Sequence, residues 1–174
     1  MYYFIVGTFD ANAIYVLAYD PDTKSISVVQ QCDAPSAHSW LSLNSSRTRL
    51  YATMWTEPPG LASYSIAYSD DGRPSLSPLT TVQTAARSGY CCVSKAGYVY
   101  SAGGATGEVF SLDPHGGLKE EVQKLDFVDL EGKQRDDGSV MDFGGLRHGA
   151  HSADLSPDER TLYVADMYSF PPKP

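Results

Sequence analysis

Short runs of alternating apolar and polar residues, separated by turn-forming segments, cover almost the whole chain. One example is AIYVLAYDPDTKSISVVQQ, in which an apolar run is followed by an Asp- and Pro-bearing turn and a second strand-like run. Alternation with a period of two is typical of half-buried strands, and two such runs around a tight turn predict a β-hairpin. No long segment has a convincing helical period, because GGLKEEVQKL, which comes nearest, occupies the place of a last strand. The pattern therefore predicts an all-β protein.

The hairpins recur at a nearly regular interval. Four similar segments, YYFIVGT, RLYATMW, YVYSAGG and TLYVADM, each carry a tyrosine that we take as equivalent. These are Tyr3, Tyr51, Tyr100 and Tyr163, separated by 48, 49 and 63 residues. Each interval holds two successive hairpins, which makes four strands per repeat. The longer third interval contains FVDLEGKQRDDGSVMDFGG, a charged and Gly-rich stretch that predicts an insertion loop over residues 126–145.

Four antiparallel strands in about 45 to 50 residues are typical of one β-propeller blade. A β-sandwich is the alternative, but it offers no reason for an LY pair to recur at a nearly fixed interval. We therefore predict one partial propeller domain over residues 1–174, with about three to four four-stranded blades. The Pro-rich residues 168–174 are predicted to form an irregular tail, since proline cannot pair within a sheet.

Composition and charge narrow the function classes. The formal net charge of -8 argues against nucleic-acid binding, although a local Arg and His cluster can still bind a small anion. No apolar run approaches the length of a membrane span, and the N-terminus lacks the basic start of a signal peptide. Cys32, Cys91 and Cys92 suit neither a disulfide framework nor a zinc site, so we expect a cytoplasmic protein in which the cysteines bind no metal.

The repeat predicts a cluster of polar residues at one end of the propeller. Ser39, Ser88 and His151 each stand twelve residues before an equivalent tyrosine. The strand that begins there would be the innermost of its blade, and its first residues would lie at the mouth of the central channel. A role in capping the strand is the alternative for each of them. The neighbours that we also consider as substrate-binding residues are His38, Arg87, Arg147 and His148.

Three segments carry a resemblance to a known family. FIVGTFDANAIYVLAYDPDT, HSWLSLNSSRTRLYATMW and HGAHSADLSPDERTLYVADM resemble the seven-bladed lactonase-type propellers. This family includes bacterial 6-phosphogluconolactonase-like proteins and fungal 3-carboxy-cis,cis-muconate lactonizing enzymes, and the similarity to the fungal members is greater. In the family a histidine at the start of this inner strand belongs to the proposed site, and it corresponds to His151. The resemblance places the Arg and Glu residues that complete the site in later blades.

The resemblance implies a cofactor-free cycloisomerase. Such an enzyme closes 3-carboxy-cis,cis-muconate to a carboxymuconolactone in the protocatechuate branch of the β-ketoadipate pathway of aromatic catabolism. It needs cationic groups for a polycarboxylate substrate and a general acid for the developing carbanion, the role implied for His151. A 6-phosphogluconolactonase-like lactone hydrolase and a non-catalytic interaction module are the alternatives. Seven blades need about 340 residues, so an incomplete chain would expose sheet edges and could self-associate.

Overall fold

The computed structural model describes residues 1–127 and 149–166, which form thirteen strands. None of these residues belongs to a helix that could cross a membrane. The strands of the first sheet are β1 (Tyr2–Val6), β2 (Ala13–Asp20) and β3 (Ser25–Asp33). Those of the second are β4 (Leu41–Leu43), β5 (Arg49–Met54), β6 (Gly60–Tyr68) and β7 (Pro74–Gln83). Those of the third are β8 (Tyr90–Val93), β9 (Tyr98–Ala102), β10 (Thr106–Leu112) and β11 (Leu118–Asp126), and those of the fourth are β12 (Ala150–Leu155) and β13 (Leu162–Asp166).

Each sheet is an antiparallel meander in which strands pair in the order of the sequence. The second and third sheets have the predicted four strands. Within the described residues the first sheet has three strands and the last has two. Among the described strands, the Tyr3-bearing β1 is the innermost of the first sheet. The segment GGLKEEVQKL contributes to β11, as predicted, and does not form a helix.

Two of the predicted features lie mostly or wholly outside the described residues. β11 continues to Asp126, so the predicted insertion starts later than position 126. The structure does not describe residues 128–148, which contain most of the predicted insertion and the candidate residues Arg147 and His148. It also does not describe residues 167–174, which contain the predicted tail 168–174.

The sheets pack one against the next, and each boundary has its own apolar core. Ile14 of the first sheet packs with Leu50 and Tyr64 of the second. Tyr51 and Leu61, on the opposite face of the second sheet, pack with residues of the third, namely Cys91, Val99 and Phe110. A smaller cluster joins the third sheet to the fourth through Ala102, Ala150 and Ala153. A sandwich has a single core between two sheets, so this serial packing identifies a propeller.

The recurrent tyrosine links neighbouring blades. The hydroxyl of Tyr3 donates to Asp71 Oδ2 at 3.2 Å, and that of Tyr51 donates to the Gly116 carbonyl at 3.1 Å. In both cases the acceptor lies in the outer hairpin turn of the following sheet. Burial raises the pKa of Tyr51 to about 12, so its hydroxyl remains a donor at neutral pH. At two of the four equivalent positions, Tyr3 and Tyr51, the tyrosine therefore makes the same kind of contact with the following blade.

Replacing this tyrosine should weaken the boundary between the second and third sheets. We expect Tyr51→Phe to lower the free energy of unfolding by about 1 kcal/mol, because the ring stays but the hydrogen bond to Gly116 is lost. Urea denaturation measures the change. Tyr163→Phe is the control, since Tyr163 is 61% exposed and should change little. Equal effects of the two variants would contradict the proposed link.

The first sheet has an apolar face that no described residue covers. Cross-strand rows on this face join Tyr2, Tyr19 and Ile26, and then Phe4, Leu17 and Val28. Phe4 is 49% exposed and Val28 is 61% exposed. In the second sheet the corresponding face is buried in a boundary core, so this face has the character of a blade interface without its neighbour.

We propose that the 174-residue chain, when made by itself, self-associates through this apolar face. Phe4→Asp should shift the chain towards the monomer, because a carboxylate on the face must be desolvated on association. Sedimentation velocity over a range of protein concentrations measures the shift. Val122→Asp is a matched control, since Val122 is also exposed, at 50%, but lies on the outer strand β11. A chain that is monomeric before substitution would overturn the proposal.

Candidate functional site

The starts of the inner strands β4, β8 and β12 lie side by side. Trp40, which precedes β4, stacks on Tyr90 at the start of β8, with ring centroids 4.0 Å apart. The Tyr90 hydroxyl donates to Asp154 Oδ1 on β12 at 3.0 Å. The neighbouring inner strands therefore bring residues 38–40, 87–90 and 150–152 to one end of the molecule. We call these three segments the strand-start cluster.

His38 is the buried member of the strand-start cluster. Its Nδ1 lies 2.9 Å from the Thr53 carbonyl oxygen and its Nε2 lies 2.5 Å from the Tyr64 hydroxyl oxygen. A carbonyl can only accept, so Nδ1 carries the proton, and Nε2 of the neutral ring accepts from Tyr64. Burial lowers the pKa of His38, which favours this neutral form. Direct substrate binding by His38 does not fit this position, because the side chain is buried and both nitrogens are occupied.

The titration of His38 should appear in the pH dependence of stability. The unfolded chain binds a proton here below a pH of about 6.5, whereas burial keeps the folded His38 neutral to lower pH. The free energy of unfolding should therefore fall as the pH is lowered from about 7 to about 5. His38→Gln should flatten this dependence, because an amide can donate to Thr53 and accept from Tyr64 without titrating.

Thermal melting at a series of pH values tests this expectation. His115→Gln is the matched control, because His115 is exposed in the β10–β11 turn. The assignment fails if His115→Gln flattens the profile and His38→Gln leaves it unchanged.

Ser39 is half-buried and is held by the next strand. Its hydroxyl lies 3.0 Å from Thr53 Oγ1, which also accepts the backbone N–H of Trp40 at 3.1 Å. Thr53 is itself buried and pairs with the Trp40 carbonyl through its backbone N–H. Thr53 therefore fixes the backbone at the start of β4, and Ser39 contributes to that support.

The predicted equivalence of Ser39, Ser88 and His151 is wrong by one residue in the third sheet. The tyrosine pairs with the residue nine positions earlier in the second and fourth sheets, but eight positions earlier in the third. The pairs are Tyr51 with Ser42, Tyr100 with Cys92 and Tyr163 with Asp154. The β8–β9 turn is one residue shorter than its counterparts, so Ser88 corresponds to His38 and Ala150, and Gly89 corresponds to Ser39 and His151.

Contacts between neighbouring sheets give the same correspondence. A Cβ atom on Gly7 would lie 2.1 Å from the His38 carbonyl oxygen. The Trp55 indole N–H donates to the Ser88 carbonyl at 2.8 Å, and the Gly104 N–H donates to the Ala150 carbonyl at 3.0 Å. Gly7, Trp55 and Gly104 each follow an equivalent tyrosine by four residues. The carbonyls of His38, Ser88 and Ala150 are therefore equivalent anchors for the preceding blade.

Arg87 and Ser88 differ in their access to solvent. Ser88 is buried, and its hydroxyl has no hydrogen-bond partner within the described residues. The Arg87 side chain is 36% exposed, and its Nη2 lies 3.9 Å from Glu57 Oε2. An exposed ion pair at this distance contributes little to stability, so the guanidinium can exchange Glu57 for another carboxylate.

His151 is the exposed titratable group of the strand-start cluster. Ala150 pairs with Asp166 and Ser152 pairs with Ala165, so His151 is the additional residue of a β-bulge at the start of β12. A bulge leaves a residue outside the ladder and redirects its side chain. Among the described inner strands only β12 has such a register shift. His151 is exposed and makes no side-chain hydrogen bond within the described residues, so its imidazole can reach a ligand.

His115 lies at the other end of the sheets. It belongs to the turn between β10 and β11, which lies beside the start of β9. The start of β8, in contrast, pairs with the end of β9, so the turn and the strand-start cluster lie at opposite ends of the sheet. The Arg49 Nε–H donates to the His115 carbonyl oxygen across the boundary between the second and third sheets. A polar cleft of about 470 Å³ opens here, and it is separate from the strand-start cluster.

The cysteines do not supply a nucleophile. Cys32, Cys91 and Cys92 are free thiols. Burial raises the pKa of Cys91, and burial together with Asp154 and Glu159 raises the pKa of Cys92 to about 12. A thiol that stays protonated at neutral pH is a poor nucleophile. The described residues contain no group of three or more His, Cys, Asp or Glu side chains arranged to hold a metal ion.

Glu108 is a buried carboxylate that the sequence analysis missed. Its Oε2 accepts from the Ser101 hydroxyl and its Oε1 accepts from the Thr106 hydroxyl, each at 2.6 Å. These bonds tie β9 to β10 beside Gly103 and Gly104, and Gly104 pairs with Ala150 next to His151. The available signal was an acidic residue in the otherwise small and apolar stretch TGEVF. Glu108 therefore supports the backbone behind the cluster and does not face a ligand.

Comparisons with known proteins agree with this architecture. The family model described as lactonase, 7-bladed beta-propeller matches residues 3–168. The chain is 38% identical over 168 residues to Muconate cycloisomerase 1 of Cutaneotrichosporon cutaneum, covering 95% of this chain and 44% of that protein.

Two solved structures share the fold at lower identity. The periplasmic gluconolactonase of Pseudomonas aeruginosa has a TM-score of 0.68 at 21% identity, covering 95% of this chain and 47% of the other. A protein from Lactobacillus plantarum has a TM-score of 0.69 at 22% identity, covering 93% and 45%. The chain thus spans about half the length of these relatives.

Proposed function

Because the chain belongs to the lactonase family of seven-bladed β-propellers, we propose that it contributes to an enzyme that forms a lactone ring. More specifically, we propose a cycloisomerase that converts 3-carboxy-cis,cis-muconate to a carboxymuconolactone. The observation that carries this choice is the 38% identity to Muconate cycloisomerase 1 over 95% of the chain. The exposed His151 in the strand-start cluster, which has no side-chain hydrogen bond within the described residues, supports the proposal with a group suited to proton transfer.

The reaction needs only the substrate and one proton, which an acid on the protein donates and then regains from solvent. One substrate carboxylate adds through its oxygen to a carbon of the diene, which forms the C–O bond of the lactone. The electron pair of the broken C=C π bond moves to the adjacent carbon, where a substrate carboxyl group delocalises it. Protonation of that carbon completes an isomerisation in which every atom of the substrate is retained.

His151 is proposed as the proton donor for that carbon. A protonated imidazole is a general acid that can transfer its ring N–H proton to a developing carbanion. Its place on a bulge leaves the ring outside the ladder, where it can approach a substrate at the channel mouth. The bulge at the start of β12 is thus the structural reason why the proposed proton donor is accessible.

Binding of the substrate carboxylates is proposed for the cationic neighbours. The Arg87 guanidinium is accessible and only loosely paired with Glu57, so it can bind a carboxylate. Arg147 and His148 remain proposals from the sequence, since they lie outside the described residues. His38, Ser39 and the buried Ser88 are assigned to positioning, because their surroundings are protein groups.

The role of His151 can be tested in a full-length propeller that contains this sequence. His151→Ala should lower kcat by about 100- to 10,000-fold, the usual effect of losing a positioned general acid. Loss of the ultraviolet absorbance of the conjugated diene measures turnover, and thermal melting measures folding. His115→Ala, at the opposite end of the sheets, should leave both unchanged. Near-normal turnover of His151→Ala would make the assignment wrong.

The same assay distinguishes the reaction classes. Turnover of a sugar lactone in place of the dienoate would favour a hydrolase, and absence of turnover of both would favour a binding module. The 174-residue chain alone is expected to show little or no turnover, because the family places the remaining Arg and Glu site residues in later blades.

A further inference from the structure

Two aromatic rings stack face to face at the starts of neighbouring inner strands. Trp40 and Tyr90 occupy the same register on their strands. Trp40 pairs with Thr53 and Tyr90 pairs with Ala102. Thr53 and Ala102 each follow the equivalent tyrosine of their sheet by two residues. Their ring planes are inclined by 29° with centroids 4.0 Å apart. We call this pair the aromatic shelf.

The shelf is fixed at both ends by hydrogen bonds. The Trp40 backbone N–H donates to Thr53 Oγ1 at 3.1 Å, which holds the residue that carries the indole. The Tyr90 hydroxyl donates to Asp154 Oδ1 at 3.0 Å, which ties the second ring to the third inner strand. Burial and Asp154 raise the pKa of Tyr90 to about 12, so this donor persists at neutral pH. A preorganised surface of this kind loses little entropy when a flat ligand stacks on it.

The indole of Trp40 is more accessible to a ligand than the indole of the second tryptophan, Trp55. Trp40 is 37% exposed, and its indole N–H has no hydrogen-bond partner within the described residues. The Trp55 indole N–H is occupied by the Ser88 carbonyl, and the Phe9 ring lies against it at 5.9 Å. The two tryptophans therefore provide a test residue and a matched control.

The shelf borders the proposed proton donor. Ser152 pairs with Ala165 and so occupies on β12 the register that Trp40 and Tyr90 occupy on their strands. His151 directly precedes Ser152. It therefore lies one residue closer to the strand start than the register shared by Trp40, Tyr90 and Ser152. The aromatic rings and His151 therefore lie at the same end of the inner strands.

We propose that the aromatic shelf binds the flat conjugated part of the substrate, with the Trp40 indole N–H donating to a substrate carboxylate. Trp40 then selects planar unsaturated polycarboxylates over saturated ones of equal charge, because only a planar π system can stack on the rings. This inference rests on the proposed function, since it assigns the substrate-contact residue of that site.

Binding to the 174-residue chain tests the shelf without requiring turnover. The probe is 3-carboxy-cis,cis-muconate, and the comparison ligand is butane-1,2,4-tricarboxylate, its saturated counterpart with the same three carboxylates. Indole ¹⁵N–¹H spectra, assigned with Trp40→Phe, should show a saturable shift of the Trp40 signal with the dienoate and little change at Trp55. Calorimetry should show about tenfold weaker binding of the dienoate by Trp40→Leu and little change with Trp55→Phe.

Each outcome decides the proposal. Equal binding of the two ligands, unchanged affinity of Trp40→Leu, or no response of either indole signal would overturn the shelf. Turnover in the full-length propeller separates this inference from the proposed function. If Trp40 responds selectively but no lactone forms, the shelf stands and the reaction is wrong. If Trp40→Leu turns over the dienoate with unchanged KM, the shelf is wrong and the reaction stands.

Discussion

Packing of each sheet against the next is the constraint on which the rest of the structure depends. A single antiparallel sheet of three or four short strands buries too little apolar surface to be stable, so each sheet needs a neighbour on both faces. The cores around Leu50 and Tyr64 and around Tyr51 and Phe110 meet this need between successive sheets. The same requirement explains why the uncovered face around Phe4 has the composition of an interface. At Tyr3 and Tyr51 a tyrosine hydroxyl adds a directional hydrogen bond to the packing against the following sheet.

Radial packing also creates the candidate site. Successive inner strands must lie side by side, so their first residues meet although they are far apart in the sequence. The backbone there is supported from behind by polar contacts, with Thr53 holding the start of β4 and Glu108 tying β9 to β10. These groups are buried and fully engaged, and they leave the exposed positions to residues that can contact a ligand. Two histidines in neighbouring positions of the repeat thus have different surroundings, since His38 is enclosed by Thr53 and Tyr64 and His151 is exposed.

The sequence predicted the features that depend on periodicity and missed those that depend on single residues. Alternation and the spacing of Tyr51 and Tyr100 predicted hairpins, sheets and their serial repetition, because these follow from which side chains face a core. Ser88 was placed one residue out of register, since the turn SKAG is a residue shorter than its counterpart and spacing to the tyrosine does not reveal where the difference falls. The bulge at His151 and the burial of Glu108 arise from pairing between strands, which no local pattern encodes.

The bulge explains why the start of β12 differs from the starts of the other two inner strands. In β4 and β8 the ladder is regular up to the strand start, and the residues equivalent to His151 are Ser39, held by Thr53, and Gly89, which has no side chain. In β12 the pairing with β13 shifts between Ala150 and Ser152, so His151 lies outside the ladder and does not compete with the hydrogen bonds that anchor Ala150 to Gly104. The contact of Ala150 with Gly104 of the third sheet is therefore kept while the neighbouring His151 is exposed. Trp40 and Tyr90 lie at the starts of the inner strands whose ladders are regular. Their stacked rings can therefore position a ligand at the same end of the sheets as His151.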